Sequence, residues 1–507
     1  MFATVATAVV EGVEGHPVSV EVHVSAGLPG YTLVGLPDVA CRESRDRVRA
    51  AVLSSGLRWP QQRVTINLAP AGVRKHGSAL DLPIALGILA ASEQLEPAAL
   101  DHLGAVGELG LDGSLRPVAG MACLAGAIDA AAVIVPERGA GEAAAIRPGE
   151  VHAAGHLGEL VAALRGTGPP LARVAAPVGG NRAGSGPDLA DVRGQPLARW
   201  SLEVAAAGGH SLLMVGPPGS GKTMLASRMV GLLPDLPADE ALLVTRVHSA
   251  AGIGMPAAGL VRRPPYRAPH HGASLVALVG GGTAALRPGE ISCAHGGVLF
   301  LDELGEFAPA VLDALRQPLE EGVIRVARAS RAVTLPARFL LVAAMNPCPC
   351  GEGGAPGRCR CGEAARARYA RRLSGPLLDR FDLRVEVRPP ASSLLLGGEP
   401  EEPTRSVAER VARSRVRARE RGVPANARLR AHRLEDEVPL TPAAAGVLTT
   451  ALEAGRLTGR GLARVRTVAR TIADLAGLDD RVPLDADIVS TALGLRPVPA
   501  VVSGATA

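Results

Sequence analysis

The sequence has very few aromatic residues, since Phe, Tyr and Trp make up only 2% of its 507 residues. A surface that stacks successive nucleobases on aromatic rings is therefore not expected. No apolar run reaches the roughly 18 to 20 residues that a membrane-spanning helix needs. The first residues, MFATVATAVVEG, lack a basic leader and a small-residue cleavage site, so they are expected to form a first strand and not a signal peptide. These absences predict a soluble, cytoplasmic protein that does not enter a membrane.

A large excess of charge of one sign is also absent. The chain has 54 basic and 49 acidic residues, and its formal net charge is +5. This mild basic excess permits nucleic acid as a partner without indicating a dedicated polycationic arm. In the cytoplasm the seven cysteines are expected to be thiols or metal ligands and not disulfides.

The patterning predicts an α/β protein of several domains, as the length leads one to expect. Residues 1–165 alternate short β-rich runs such as VSVEVHV and RVTINLAP with helical stretches such as LDLPIALGILAASEQL. Residues 166–187 are rich in Gly, Pro and Ala without periodicity and are expected to be a linker. A second α/β block spans residues 188–388, and residues 389–507 have helical patterning.

The segment GPPGSGKT stands between an apolar run, LLMV, and a helix-like stretch, MLASRMVGLL. It matches the GxxxxGK[ST] phosphate loop, in which glycines let backbone N–H groups wrap the phosphates at a helix N-terminus. The strand-loop-helix context argues against the alternative, a chance Gly-rich turn. Lys222 is expected to reach the β- and γ-phosphates of ATP, and Thr223 to ligate Mg²⁺. The predicted nucleotide-binding residues here are Gly216, Pro217, Pro218, Gly219, Ser220, Gly221, Lys222 and Thr223.

Two further apolar runs end in polar side chains. GGVLFLDEL predicts a buried parallel strand followed by Asp302, which fits a Mg²⁺ ligand, and Glu303, which fits the group that polarises the attacking water. FLLVAAMN ends in Asn346, which could orient that water or sense the γ-phosphate; a plain turn former before Pro347 is the alternative. The three elements together predict a hydrolysing ATPase.

Three later arginines are candidates for contacts with the nucleotide. Arg380, in LSGPLLDRFDL, is either part of a local salt bridge or an arginine finger that reaches the ATP of a neighbouring subunit. Arg460 and Arg464, in LTGRGLARVR, begin a helix in the last block. Either could touch the γ-phosphate or lie on a solvated face.

Four cysteines lie within 14 residues in the order C-x-C, eight residues, C-x-C. A tetrahedral site for a structural Zn²⁺ fits this set, and reduced thiols in a Gly-rich loop are the alternative. Four sulfur ligands leave no open position, so catalytic zinc is not expected. The predicted ligands are Cys348, Cys350, Cys359 and Cys361, whereas Cys41, Cys123 and Cys293 are expected to be core thiols.

The chain resembles a known family at these motifs. Its central block is similar to the magnesium-chelatase-like AAA+ ATPases, and nearly the whole chain resembles the ComM/YifB group within them. The segments that carry the resemblance are YRAPHHGASLVALVGGG, RPGEISCAHGGVLFLDEL, LRQPLEEGVIRVAR, AAMNPCPCG and LSGPLLDRFDL. The resemblance implies an AAA+ parallel-sheet ATPase core at residues 188–388 and a C-terminal helical lid at residues 389–507.

The resemblance also implies roles for single residues. DLADVRGQ, which ends in Gln195, matches the segment that lies against the adenine, Asn346 becomes sensor one, Arg380 the finger and Arg460 the likelier sensor two. It further implies a homo-hexamer and a DNA motor of the helicase or branch-migration type. Such a motor would act on branched or single-stranded DNA, with recombination proteins as further partners. The alternative is a chelatase-type motor that remodels a protein partner.

The N-terminal block resembles the fold of Lon-type proteases and ribosomal protein S5, through RKHGSALDLPIALGILAAS and LGAVGELGLDGSLRPVAG. Active proteases of this type use a Ser-Lys dyad. The matching positions hold Ala79 and Ala122, and the neighbouring Ser78 has no lysine after Gly120 to activate it. This domain is therefore expected to be a proteolytically inactive scaffold that contacts DNA or orders a ring.

Three weaker features complete the sequence analysis. His270 and His271 are expected to belong to an inserted loop at a ring pore, with a plain structural role as the alternative; a metal site is not expected because no third ligand is near. GVIRVARASRAVTLPARF predicts a β-hairpin whose turn carries Arg328 and Arg331, which either grip phosphates or form an ordinary basic turn. Ten arginines between residues 405 and 433 most simply form a solvated helix face, and DNA contact is the minor alternative.

Overall fold

An N-terminal sheet, a central sheet and a C-terminal group of helices follow one another along the chain. The computed structural model describes residues 1–175, 186–254, 259–282, 286–327, 332–353, 358–372, 375–397 and 401–497. Within these ranges no helix is long and apolar enough to cross a membrane.

The N-terminal sheet is mixed, with eight strands in the order β10-β9-β8-β5-β1-β2-β4-β3. Val18, Val20, Val22 and Val24 alternate toward the core along β2, as a half-buried strand requires. The strands of this block are β1 (Phe2–Glu11), β2 (Glu14–Ser25), β3 (Gly30–Val34), β4 (Arg63–Ala69), β5 (Leu103–Ala105), β6 (Glu108–Leu109), β7 (Leu115–Arg116), β8 (Ala132–Pro136), β9 (Val151–Ala154) and β10 (Ala172–Arg173), of which β6 and β7 form a separate two-stranded sheet. The last strand lies within the segment that the sequence analysis assigned to the linker.

Five helices accompany this sheet. They are α1 (Val39–Ser54), α2 (Asp81–Ala91), α3 (Met121–Ala127), α4 (Ala140–Ile146) and α5 (Leu157–Leu164). Helix α2 is buried at every residue. It approaches the sheet closely at Gly87, where an added Cβ would lie 2.6 Å from a methyl group of Val22.

The central sheet is fully parallel and has five strands in the order β12-β15-β18-β11-β19. Every residue of β15 and β18 is buried, as expected for a parallel sheet that is covered on both faces. The strands of this block are β11 (Leu212–Val215), β12 (Tyr266–Arg267), β13 (Gly280–Gly281), β14 (Arg287–Pro288), β15 (Val298–Leu301), β16 (Val323–Ala327), β17 (Ala332–Pro336), β18 (Leu340–Met345) and β19 (Leu383–Glu386). The predicted mixed α/β fold with a parallel central sheet is thus confirmed.

Ten α-helices are found among the described residues of this part of the chain. They are α6 (Pro196–Gly208), α7 (Lys222–Leu232), α8 (Ala238–Ala251), α9 (Leu275–Val279), α10 (Glu290–Cys293), α11 (Pro309–Ala314), α12 (Arg316–Glu321), α13 (Glu363–Arg371), α14 (Gly375–Leu378) and α15 (Ser392–Gly397). Strands β16 and β17 form the predicted antiparallel hairpin. Arg328 and Arg331, predicted for its turn, lie outside the described residues.

The C-terminal block is helical in its described part. Its helices are α16 (Thr404–Glu420), α17 (Leu434–Glu437), α18 (Pro442–Glu453), α19 (Gly459–Leu475) and α20 (Ala486–Gly494). Six of the ten arginines between residues 405 and 433 bind carboxylates or backbone carbonyls. Arg410 and Arg415 bind Glu203 and Ala206 O and so join this block to the core. The other four bind partners within the C-terminal block; they are Arg405, Arg417, Arg421 and Arg433.

The N-terminal block contacts the central block through α3 and α8. The backbone N–H of Gly120 donates to Ser249 O at 2.8 Å, and the N–H of Ala122 donates to Ser249 Oγ at 3.0 Å. Ser249 Oγ in turn donates to a carboxylate oxygen of Glu142 at 3.0 Å. Ala122, which stands where Lon-type proteases have their lysine, is fully buried against this contact. The position therefore serves packing between the two blocks.

The first prediction concerns a buried charge network in the C-terminal block. The carboxylate of Asp474 accepts hydrogen bonds from Arg421, Asn426 and Arg470, and the side chains of Asp474 and Arg470 are fully buried. Asp474→Asn leaves buried guanidinium groups without their anion, so we expect the free energy of unfolding to fall by about 3–5 kcal/mol. Asp480→Asn, which removes a partly exposed partner of the same arginines, is expected to cost less. Urea unfolding followed by circular dichroism measures both, and equal effects would contradict the prediction.

Candidate functional site

Polar residues converge at the carboxyl edge of the central sheet. Strands β15, β18 and β11 are hydrogen-bonded neighbours in that order, and Leu301 pairs with Ala343 while Val215 pairs with Met345. The phosphate loop follows β11, the DE pair follows β15, and Asn346 follows β18. Parallel strands end at one edge, which is where ligands bind in open α/β sheets. The three predicted ATP-site elements therefore lie side by side.

The phosphate loop turns tightly from β11 into α7. Gly219 and Gly221 have φ angles of 76° and 90°, in the left-handed region that favours glycine. Gly216 lies so close to the neighbouring backbone that an added Cβ would sit 2.1 Å from Val387 O. Helix α7 begins at Lys222, so its free backbone N–H groups face the loop. This arrangement suits a bound phosphate chain.

The Lys222 amine lies inside the loop. Its Nζ donates to Gly216 O at 2.7 Å, to Pro217 O at 2.8 Å and to Asn346 Oδ1 at 3.3 Å. Burial lowers the pKa of this amine, and the nearby carboxylates of Asp302 and Glu303 oppose that shift. The sequence-predicted lysine and sensor residue are thus in direct contact.

Thr223 and Asp302 form a second contact between these elements. Thr223 Oγ1 donates to Asp302 Oδ2 at 2.7 Å. A hydroxyl and a carboxylate at this separation are hard oxygen donors that suit Mg²⁺, which usually takes only a few protein ligands beside substrate phosphates. The described residues therefore fit the predicted Mg²⁺ site.

Glu303 occupies a strained position after β15. Its φ of 52° lies in the left-handed region, which is costly for a residue other than glycine and is found at functional sites. The Glu303 side chain is half-exposed, and its Oε2 lies 3.5 Å from Nε2 of His271. The His270 ring packs against His271 with centroids 4.1 Å apart.

His271 is a residue whose contact with Glu303 the sequence analysis missed. In the sequence the segment HHGAS lies about thirty residues before the DE pair, and nothing in it indicates a contact with that pair. The parallel pairing of β12 with β15 brings the two segments together, because the histidines follow β12. A long-range strand pairing gives no local signal in the sequence.

Gln195 lines a cavity beside the phosphate loop. Its side-chain amide donates to Ser220 O at 3.0 Å and to Arg388 O at 2.7 Å. The cavity has a volume of about 680 Å³, within the range of small-molecule sites. Its lining comprises Ala190, Asp191, Arg193, Gln195, Gly219, Ser220, Gly221, Met224, Pro389 and Pro390. Gln195 thus braces the loop at the place where the sequence analysis expects the nucleoside.

Arg380 lies at the opposite, amino edge of the sheet. The adjoining Asp382 donates its N–H to Ser211 O at 3.0 Å, directly before β11 begins. The phosphate loop follows the other end of β11, whose four residues span about 13 Å. Arg380 forms an ion pair with Glu320 and also donates to Pro376 O at 2.6 Å.

The two candidate sensor arginines share a cavity of about 310 Å³ with Arg380, and its lining has no residue in common with that beside the phosphate loop. Arg464 is committed to internal partners, because it forms an ion pair with Asp382 and donates to Arg380 O at 3.0 Å. The Arg460 side chain is 74% exposed and approaches Glu320 only to 4.0 Å. Arg460 is therefore the more available of the two.

The four predicted metal ligands come together after Asn346. Their sulfur atoms all lie within 4.8 Å of one another. Cys348 Sγ is 3.4 Å from Cys350 Sγ and 3.8 Å from Cys359 Sγ, and the Cys350–Cys359 separation is 3.6 Å. A tetrahedral site with Zn–S bonds near 2.3 Å has S–S edges of about 3.8 Å. The cluster can therefore hold a metal ion.

Backbone N–H groups also point at these sulfurs. Gly353 N donates to Cys348 Sγ at 3.2 Å. Hydrogen bonds from the amides of Glu352 and Arg360 lower the pKa of Cys350 to about 6. The remaining cysteines, Cys41, Cys123 and Cys293, are buried as predicted.

Comparisons with known proteins cover most of the chain. A family described as "Magnesium chelatase, subunit ChlI" matches residues 188–394. A family described as "Subunit ChlI of Mg-chelatase" matches residues 20–139, and one described as "Magnesium chelatase, subunit ChlI C-terminal" matches residues 401–496. All three families point to the same type of protein.

Three full-length relatives agree with these family matches. The competence protein ComM of Haemophilus influenzae is 45% identical over 92% of both chains. The YifB protein of Escherichia coli is 46% identical over 92% of this chain and 91% of its own. A Mycobacterium tuberculosis protein is 44% identical over 96% of this chain and 97% of its own. With this identity over nearly its whole length, the chain belongs to the ComM/YifB group of magnesium-chelatase-like proteins.

Proposed function

We propose that this protein hydrolyses ATP and couples the hydrolysis to movement along DNA. Two contacts at one edge of the sheet support the ATPase part of this proposal. Lys222 contacts Asn346, and Thr223 contacts Asp302. Bound Mg²⁺ would supply positive charge that offsets the charge of the phosphates. Thr223 and Asp302 hold that ion, and Lys222 replaces its bonds to loop carbonyls with bonds to the phosphates.

Glu303 activates the attacking water in this proposal. Its backbone has a left-handed φ of 52°, directly after the proposed Mg²⁺ ligand Asp302. Its carboxylate is half-exposed, and Oε2 lies 3.5 Å from Nε2 of His271. Asn346 completes the site because its amide can hold the γ-phosphate or the water while Lys222 binds the phosphates.

Arg380 and Arg460 serve the nucleotide of a neighbouring subunit in this proposal. Both lie at the amino edge, a strand length from the phosphate loop of their own chain. Arg380 exchanges Glu320 for the γ-phosphate when a second copy presents its phosphate loop. Such a site needs a ring or filament of identical subunits, and a homo-hexamer fits.

DNA is the proposed partner for two reasons. The net charge of +5 favours a polyanion, and one relative that is 45% identical is named a competence protein. The proposed activity of the ATPase ring is the movement of a branch point during recombination. Its substrate is branched or single-stranded DNA. Recombination proteins are natural associates of such a motor.

The four cysteines hold a structural Zn²⁺ in this proposal. Their S–S separations of 3.4, 3.6 and 3.8 Å match the edges of a tetrathiolate zinc site. All four protein ligands are sulfur, so the ion has no open position for catalysis.

The second prediction is that DNA stimulates ATP hydrolysis. Lys222→Ala and Glu303→Gln should each lower turnover at least about 100-fold, because they remove phosphate binding and water activation. The matched control is Glu306→Gln, an exposed carboxylate close in sequence that pairs with Arg372 and should leave turnover near wild type. Phosphate release is measured without DNA and with single-stranded, forked and four-way DNA.

Turnover that no form of DNA changes would contradict the DNA-motor proposal. That result, with Lys222→Ala still inactive, would favour the alternative of a chelatase-type motor that remodels a protein partner. Loss of activity in both variants together with movement of the four-way junction by wild type alone would support branch migration.

The third prediction concerns the neighbouring subunit. Lys222→Ala and Arg380→Ala should each be inactive alone, whereas a mixture of the two should regain up to about a quarter of wild-type turnover. Recovery arises where an intact phosphate loop faces an intact Arg380. Arg405→Ala, at an arginine whose side chain is 90% exposed, is the control for loss of a positive charge. No recovery in preassembled mixtures would place Arg380 outside the shared site.

The fourth prediction is that each chain carries one zinc ion. Cys359→Ser should remove the ion because three thiolates bind it less tightly than four. Cys293→Ser, at a buried thiol outside the cluster, should retain it. Elemental analysis by mass spectrometry measures the content, and zinc-free wild-type protein purified without chelators would refute the site.

A further inference from the structure

The four-cysteine loop lies directly against the phosphate loop. Gly351, between Cys350 and the rest of the loop, has a φ of 86°, and an added Cβ would lie 2.3 Å from Cδ of Pro218. Real Cβ atoms do not approach a neighbour this closely, so the Gly351 backbone packs against the ring of Pro218 with no room for a side chain. The neighbour of Pro218 is Pro217, whose carbonyl accepts a hydrogen bond from Lys222 at 2.8 Å.

A second route joins the cysteine cluster to the same lysine. Cys348 is fully buried and follows Asn346 by two residues. Asn346 Oδ1 lies 3.3 Å from Lys222 Nζ, and Gly216 N donates to Met345 O at 3.1 Å. The cluster therefore touches the phosphate loop at Pro218 and bonds to it through the end of β18.

We propose that the metal held by the four cysteines sets the position of the phosphate loop, so that nucleotide affinity depends on the metal. This inference rests on the proposed zinc site and is independent of the DNA partner. A bound ion would hold the four cysteine sulfur atoms at S–S separations near 3.8 Å. Gly351 lies between Cys350 and Cys359 in the sequence, so the ion would restrain the Gly351 backbone that packs against Pro218.

Without the ion, the backbone at Gly351, next to Cys350, is less restrained. Gly351 then no longer supports Pro218 from one side, and the phosphate loop samples arrangements that do not match ATP. The apparent affinity for ATP equals the intrinsic affinity multiplied by the fraction of time that the loop spends in the competent arrangement. Gly351 is accordingly a positioning residue for the nucleotide site, and it contacts neither metal nor substrate.

The test separates the metal from the contact with the loop. Gly351→Ala places a methyl group against Pro218 but leaves all four cysteines, so it should keep its zinc and bind a fluorescent ATP analogue about tenfold more weakly. Gly455→Ala, in the C-terminal block, is the control for an alanine at a positive φ, since Gly455 has a φ of 64° and an added Cβ there meets no atom within 4 Å. It should keep both its zinc and its affinity.

Metal removal gives the second arm. Wild-type protein stripped with a chelator should bind the analogue about tenfold more weakly, and added Zn²⁺ should restore both affinity and metal content. Co²⁺ added instead should restore affinity and show the absorption spectrum of a tetrahedral tetrathiolate site. Circular dichroism confirms that the stripped protein and both variants remain folded.

Three results would overturn the inference. They are unchanged affinity in stripped protein, unchanged affinity in Gly351→Ala, and equal losses in Gly351→Ala and Gly455→Ala. Zinc-free wild-type protein would refute the zinc proposal as well. A missing response to DNA would leave these binding measurements intact, so failure of the DNA-motor proposal is distinguishable from failure of this one.

Discussion

The parallel hydrogen-bond ladder of β15, β18 and β11 is the constraint on which the candidate site depends. Because these strands run in the same direction, three segments far apart in sequence end at one edge of the sheet. That shared edge brings Lys222 to Asn346 and Thr223 to Asp302 at hydrogen-bond distance. Because burial of an unpaired polar group is costly, the polar side chains lie at the ends of these buried apolar strands. The same residues on an antiparallel sheet would be divided between its two edges.

The proposed function assigns the nucleotide chemistry to two opposite edges of the sheet. The carboxyl edge carries the phosphate loop, whereas the amino edge carries Arg380 beside the entry to β19, with Arg460 in the same cavity. Helix α19 supplies Arg464, which forms an ion pair with Asp382 and thereby fixes the C-terminal block at this edge. In the proposed assembly each subunit would offer a phosphate loop to one neighbour and arginines to the other, as a head-to-tail ring requires.

The sequence predicts local features well and long-range contacts poorly. The phosphate loop, the buried strand before Asp302 and the cysteine set are visible because each is a short pattern with a chemical reason. Lys222 is also conspicuous, since only two of the 54 basic residues are lysines. The contact of His271 with Glu303 depends on strand pairing, and that of Gly351 with Pro218 depends on where two loops leave neighbouring strands. Neither contact has a periodicity or spacing that could reveal it. The burial of Ala122 against Ser249 likewise needs the packing of two blocks.

The most direct measurement is a structure of the assembled protein with a non-hydrolysable ATP analogue and Mg²⁺. We predict that Lys222, Thr223 and Asn346 of one subunit contact the phosphates and their ion. We further predict that Arg380 of the next subunit has left Glu320 and lies within hydrogen-bond distance of the γ-phosphate. A nucleotide bound at this phosphate loop in an assembly where every Arg380 stays paired with Glu320 would contradict the division of the site between subunits.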